Sequence, residues 1–198
     1  MHPKEAKRQR TGTGRLASLC LPDSEILVGL DFKKEGTVAA RRLFELLSDS
    51  RYFPLLMYPG PDAWNVSKEG FREKTAGRIL MPIIIDATWF CSRKIIEHNP
   101  FLLELPKLSF AKNYSSIFTF KHEPRPEYIS TIESCYYLIK ELQAADLVSR
   151  QADPEPLMNI FKKMIGDQLR AENERVQGLR PSTHGYDWKY NKIKEIPF

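Results

Sequence analysis

Residues 79–86 read Ile79-Leu80-Met81-Pro82-Ile83-Ile84-Ile85-Asp86 (ILMPIIID) and run straight into Ala87-Thr88-Trp89. This is the most hydrophobic segment of the chain. Long and branched apolar side chains without alternation predict a central strand of a parallel sheet, buried on both faces, with Pro82 disturbing its ladder. The run then stops on a carboxylate. An acid at the end of a buried strand is poorly solvated unless something requires it there, which makes Asp86, Thr88 and Trp89 the residues to explain.

Working outward, strands and helices alternate. On the N-terminal side, Ser24 to Asp31 (SEILVGLD) reads as a strand, Gly36 to Ser50 as a helix, and Pro54 to Tyr58 (PLLMY) as a short strand ending in the turn YPGPD. On the other side, Trp89 to His98 reads as a helix that stops before Asn99-Pro100, with His98 favourably placed at its carboxyl end. Ser115 to Phe120 (SSIFTF) reads as a further strand. A helix is expected from Ser130 or Thr131, with Glu133 completing a capping-box pattern. Leu157, Ile160, Phe161, Met164, Ile165 and Leu169 form the stripe of a last long helix.

This alternation predicts an α/β fold with a mainly parallel sheet flanked by helices. In such sheets ligands sit beyond the carboxyl ends of the strands, where Tyr58-Pro59-Gly60 and Asp86-Ala87-Thr88-Trp89 both lie.

The length of 198 residues and a hydrophobic content of 42% support one substantial core, read as a single domain over residues 1–177 followed by a basic, aromatic tail at 178–198. No apolar run approaches the ~20 residues of a spanning helix, and MHPKEAKRQRTGTGR lacks the apolar stretch of a secretory signal. The expected location is inside the cell, in cytoplasm or nucleus. Cys20, Cys91 and Cys135 are too scattered for a disulfide framework or a zinc site, so each is expected to act as a small hydrophobe, and no metal is expected.

The net charge of +5 is unevenly spread: Lys4, Lys7, Arg8, Arg10 and Arg15 face Glu5 alone in the first fifteen residues. Such a cluster suits a phosphate backbone, or is a solvated basic tail. No phosphate-cradling glycine motif follows any strand, and no nucleophile motif of the G-x-S-x-G kind occurs. Gly12-Thr13-Gly14 reads as a flexible turn. Asp86 either supports chemistry or caps the helix that follows it.

Four stretches in order resemble one family. They are His2 to Leu16 (HPKEAKRQRTGTGRL), the Tyr58-Pro59-Gly60 loop, Asp86-Ala87-Thr88-Trp89, and Ser130 to Ser134 (STIES). Together they are similar to the signature of the DTW-domain family, the tRNA-uridine aminocarboxypropyltransferases. Mild departures are Ser92 in place of an alanine, Gly12 in place of an asparagine, and Lys121 in place of an arginine.

The resemblance implies a SPOUT-like fold with a C-terminal trefoil knot. It also implies transfer of the 3-amino-3-carboxypropyl group of S-adenosylmethionine to ring N3 of a uridine in tRNA, releasing methylthioadenosine.

On that reading Asp86 is a general base toward N3. Tyr58, Pro59, Gly60, Thr88, Trp89, Ser130, Thr131 and Glu133 are expected around the S-adenosylmethionine. Trp89 either stacks on a base or fills the core, and Thr88 either bonds the cofactor or caps the helix. The RNA grip is assigned to Arg8, Arg10, Arg15, Arg93, Lys94 and Arg125. Tail residues Tyr186, Trp188 and Tyr190 either stack on unpaired bases or strap the tail to the domain. The rival functions are a SPOUT-type RNA methyltransferase and a non-catalytic RNA-binding module.

Overall fold

The structure is a computed structural model, and it describes residues 1–8, 12–33, 35–75, 77–118 and 128–181. In chain order its elements are α1 (Pro3–Arg8), α2 (Thr13–Cys20), α3 (Val38–Ser48), β1 (Tyr52–Met57), α4 (Phe71–Thr75), β2 (Ile79–Ile83), α5 (Trp89–His98), a 3-10 turn (Pro100–Glu104), β3 (Lys107–Leu108), α6 (Thr131–Ala144) and α7 (Glu155–Val176). No helix among the described residues is long and apolar enough to cross a membrane.

The α/β expectation holds in a reduced form: among the described residues, a parallel three-stranded sheet in the order β2-β1-β3, flanked by helices. Its centre is β1. The segment expected to be central, β2, is an edge strand, paired with β1 from Tyr52 opposite Ile79 to Leu56 opposite Ile83. The misreading has a physical cause. Pro82 carries no N–H and is tolerated in a strand hydrogen-bonded on one side only, and Ile79, 59% exposed, faces outward at that edge.

Alternation along β1 sorts the core. Phe53 and Leu55 point to one face and pack with Val66, Phe71, Leu138 and Leu142, bringing α4 and α6 against the sheet. Leu56 points to the other face and packs with Ile95 and Leu102 of α5 and the 3-10 turn. A third cluster joins α2, α6 and α7 through Ala17, Ile132, Leu157, Phe161, Ile165 and Leu169. Each fully buried Leu, Ile or Phe side chain among these contributes about 1.5–3 kcal/mol.

Two expected strands do not form among the described residues. Residues 24–31 form no strand; the Leu27 carbonyl accepts from the Met1 ammonium at 2.8 Å and the Gly29 amide donates to the Met1 carbonyl at 3.2 Å. Buried Asn99 donates to the carbonyls of Leu30 (2.8 Å) and Ile95 (2.6 Å), and its side-chain oxygen accepts from the Phe32 amide at 2.6 Å. Residues 115–118 are likewise outside any strand; Thr119 and Phe120 lie outside the described residues, as do Lys121 and the tail aromatics Tyr186, Trp188 and Tyr190. The helices at 38–48, 89–98, 131–144 and 155–176 follow the expected periodicities. Cys91 and Cys135 are buried, whereas Cys20 is half-buried.

Candidate active site

A pocket of about 710 Å³ opens at the carboxyl ends of all three strands. Met57, Tyr58 and Pro59 reach it from β1, Ile84 to Phe90 from the segment after β2, and Leu108 to Phe110 from β3. Further walls come from Met1 and Glu5, Gly12 and Thr13, the stretch from Lys112 to Tyr114, the segment from Tyr128 to Thr131, and Met164 and Gln168 of α7. The size and mixed lining suit a cofactor-sized molecule.

Asp86 lies in this pocket, half-buried. It does not cap α5. That role belongs to Thr88, whose hydroxyl accepts from the Cys91 amide at 3.3 Å. Asp86 instead turns across to α6, where its Oδ1 accepts from the Thr131 hydroxyl at 2.7 Å, and its backbone carbonyl accepts from the His2 amide at 3.0 Å. Among the described residues Thr131 is the one hydrogen-bond donor to the carboxylate. His2 is buried, and desolvation first, then Lys4, holds its imidazole below the ordinary value, consistent with Nδ1 accepting from the Lys4 amide.

Gly12-Thr13-Gly14 is not a flexible turn. Gly12 is the N-cap of α2, and buried Gly14 faces Asp86 so closely that a Cβ there would lie 2.4 Å from Oδ2. The carboxylate is therefore enclosed by α2 behind and α6 beside, with the pocket in front. Cys135, on the turn of α6 after Thr131, feels the enclosure: burial, and then the Asp86 charge, push its thiol up to about 12.

Trp89 is not a core residue. It is the first residue of α5, half-buried on the pocket wall, and its ring stacks on Tyr128 with centroids 4.0 Å apart. Tyr58, Pro59, Thr88, Ser130 and Thr131 line the pocket too, while Gly60 lies outside the lining. Glu133 is fully buried behind it. The capping box forms at Ser130, with the Glu133 carboxylate accepting from the Ser130 amide (2.8 Å) and hydroxyl (2.6 Å). The same carboxylate takes the Ser116 hydroxyl at 2.7 Å and the Ile117 amide at 2.8 Å.

Two turns further along α6, Glu141 repeats the device. Its buried carboxylate accepts from the amides of Ala111 (3.0 Å) and Lys112 (3.3 Å) and from the Tyr114 hydroxyl (3.0 Å). Residues 111–117, part of the pocket wall, are thus fastened to α6 by two carboxylates in place of a strand ladder. That is why no strand forms at 115–118. Sequence reasoning missed Glu141, although an acid eight residues after Glu133 and flanked by buried Leu138 and Leu142 was a visible sign of a buried, bonded carboxylate. It also missed Gly14 as the close neighbour of Asp86, and Tyr128, Met164 and Gln168 as lining residues, which no local motif marks.

Of the expected RNA contacts, Arg15, Arg93 and Lys94 are exposed and outside the pocket lining. Arg15 donates to the Ala6 carbonyl at 2.8 Å, holding α1 to α2. Arg10, Arg125 and the side chain of Arg8 lie outside the described residues. No group of three or more His, Cys, Asp or Glu poised for a metal occurs among the described residues.

No solved structure matches the chain. The sequence model of the DTW domain matches residues 1–169 and so spans every wall of the pocket. The chain belongs to the DTW-domain family, which is linked to tRNA modification.

Proposed function

We propose that the protein is a tRNA-uridine aminocarboxypropyltransferase that moves the 3-amino-3-carboxypropyl group of S-adenosylmethionine to ring N3 of a uridine. The observation that carries this reading is the position of Asp86: an enclosed carboxylate facing the pocket, relieved of helix capping by Thr88. Bound S-adenosylmethionine supplies a carbon activated by the sulfonium and leaves methylthioadenosine behind.

The residues present fit that donor. Its size agrees with the pocket of about 710 Å³, and aromatic walls at Tyr58, Trp89 and Phe110 suit a purine. The amino end of α6, with Ser130 and Thr131 on the pocket lining, turns its dipole toward an anion such as an amino acid carboxylate. Glu133 holds that turn in place without lining the pocket, and Gly60 shapes the loop that carries Tyr58 and Pro59.

Asp86 receives the N3 proton as the ring nitrogen attacks, and Thr131 fixes the orientation of its carboxylate. A positioned base of this kind contributes ~10²–10⁴-fold. The uridine reaches the pocket by extrusion from a tRNA loop. Arg8, Arg10, Arg15, Arg93, Lys94 and Arg125 meet its phosphates from the surrounding surface. The SPOUT-like arrangement belongs to this proposal, supported by the parallel sheet with a pocket at its carboxyl ends; the trefoil knot rests on the family resemblance alone.

The experiment identifies the co-product. Incubated with unmodified tRNA and S-adenosylmethionine, the protein is expected to release methylthioadenosine in step with modified uridine. Release of adenosylhomocysteine would make it a methyltransferase, and RNA binding without either co-product would make it a binding module.

A further inference from the structure

Eight large hydrophobic side chains are exposed among the described residues, and Phe90 is the only aromatic one of them and the only one on the pocket lining. Single exposed aliphatic residues such as Leu19 or Val38 are ordinary surface. A phenylalanine 67% exposed at the mouth of a pocket is not. It sits in the first turn of α5, next to Trp89, one face of whose ring is covered by Tyr128.

The neighbours of Phe90 give the surface a chemical character. Arg93 and Lys94 follow at three and four residues and therefore share its face of the helix. The Lys94 ammonium lies 4.7 Å from the Phe90 ring centroid, and neither cation forms an ion pair among the described residues. Lys112, exposed, is on the same pocket lining. An exposed ring with Lys94 over one face, beside cations that form no ion pair among the described residues, matches one kind of occupant: a base with its phosphates in an unpaired stretch of nucleic acid. The base takes the ring face that Lys94 leaves, and the phosphates take the cations.

We infer that Phe90 is the stacking platform for the base adjoining the uridine that enters the pocket, with Lys94 and Arg93 holding the intervening phosphates. The inference rests on the proposed RNA-modifying role of the same pocket and adds to it a contact with a neighbouring nucleotide. Recognition by stacking is tolerant of base identity, so the platform selects an unpaired, unstacked neighbour more than a particular sequence.

The test uses an RNA hairpin whose loop contains one uridine flanked by 2-aminopurine, a base whose fluorescence falls when it stacks. With the full-length protein, binding is expected to quench the probe. Phe90→Ala is expected to abolish the quench and weaken binding about tenfold, and Phe90→Tyr to restore both. Because the side chain is exposed, the Ala variant is expected to melt with the wild type, and its melting curve is recorded alongside. Equal quenching and affinity for wild type and Phe90→Ala would overturn the platform while leaving the RNA-modifying role intact. Absence of hairpin binding by the wild type would overturn both. Lost quenching in Phe90→Ala that Phe90→Tyr does not restore would also overturn the stacking assignment.

Discussion

The Thr131 hydroxyl donates to Asp86 Oδ1 at 2.7 Å, tying the carboxylate after the second strand to the first residue of a helix that begins 45 positions later. The two motifs of the sequence meet at this bond, which fixes one oxygen of Asp86. Replacing Thr131 with Val removes the donor and keeps the shape. The expected result is a fall in kcat of about tenfold with little change in melting temperature, since one hydrogen bond contributes only ~0.5–1.5 kcal/mol. Thr131→Ser is expected to retain activity. Steady-state kinetics of both variants decide the point, and equal rates for Thr131→Val and wild type would remove Thr131 from the mechanism.

Gly14→Ala reverses the usual rule for helices. Ala normally stabilises a helix interior by about 0.5–1 kcal/mol relative to Gly. Here the added Cβ would meet the Asp86 carboxylate at 2.4 Å, so the variant is expected to lose about 1–3 kcal/mol in urea unfolding. In an Asp86→Ala background the loss is expected to be smaller, giving a measurable coupling. Additive effects would mean that the two residues do not touch.

How much of this was legible follows from the reach of each interaction. The helices at 38–48, 89–98, 131–144 and 155–176 were, because apolar spacing is a local signal, whereas the short helices α1, α2 and α4 were not; the pocket's position and the residues at its centre were legible because Asp86 and Ser130 stand at element boundaries. The order of the strands was not, since Pro82 was read as a flaw in a central strand when it marks an edge. Residues 24–31 and 115–118 have strand composition, yet amides and carbonyls in them go to Met1, Asn99 and Glu133; such partners, distant in sequence, leave no local trace.

Glu141 illustrates that long reach and can be tested. Glu141→Ala removes the acceptor for two amides and the Tyr114 hydroxyl and is expected to destabilise the fold by about 1–3 kcal/mol. Faster hydrogen exchange at Ala111 and Lys112, with a raised KM for the cofactor, is the accompanying expectation. Unchanged exchange at both amides would show that another group holds this wall.

Alkaline pH is expected to weaken the fold. Burial first, then Asp86, raises the Cys135 thiol from 9.0 to about 12, and burial first, then Glu141, raises Tyr114 from 10.0 to about 12. Both groups have a higher pKa folded than unfolded, so the unfolded chain loses its protons first. Their contribution is complete below pH 9.0 and is lost as pH rises toward about 12. Urea midpoints should hold steady up to that point and then fall. In the same range Cys135 is expected to resist alkylation in the native protein and to react once the chain unfolds, because only the thiolate attacks. Rapid native-state labelling of Cys135 would contradict its enclosure.

The central claim concerns Asp86, and Asp86→Asn tests it most directly. Wild type and variant are given unmodified tRNA and S-adenosylmethionine labelled in the carboxypropyl carbons, and the label on uridine is measured in digested RNA. Label on uridine is expected with the wild type and a loss of at least about 10²-fold with the variant, while both proteins bind tRNA and S-adenosylmethionine with similar affinity. Label transfer by a folded Asp86→Asn protein at the wild-type rate would contradict it.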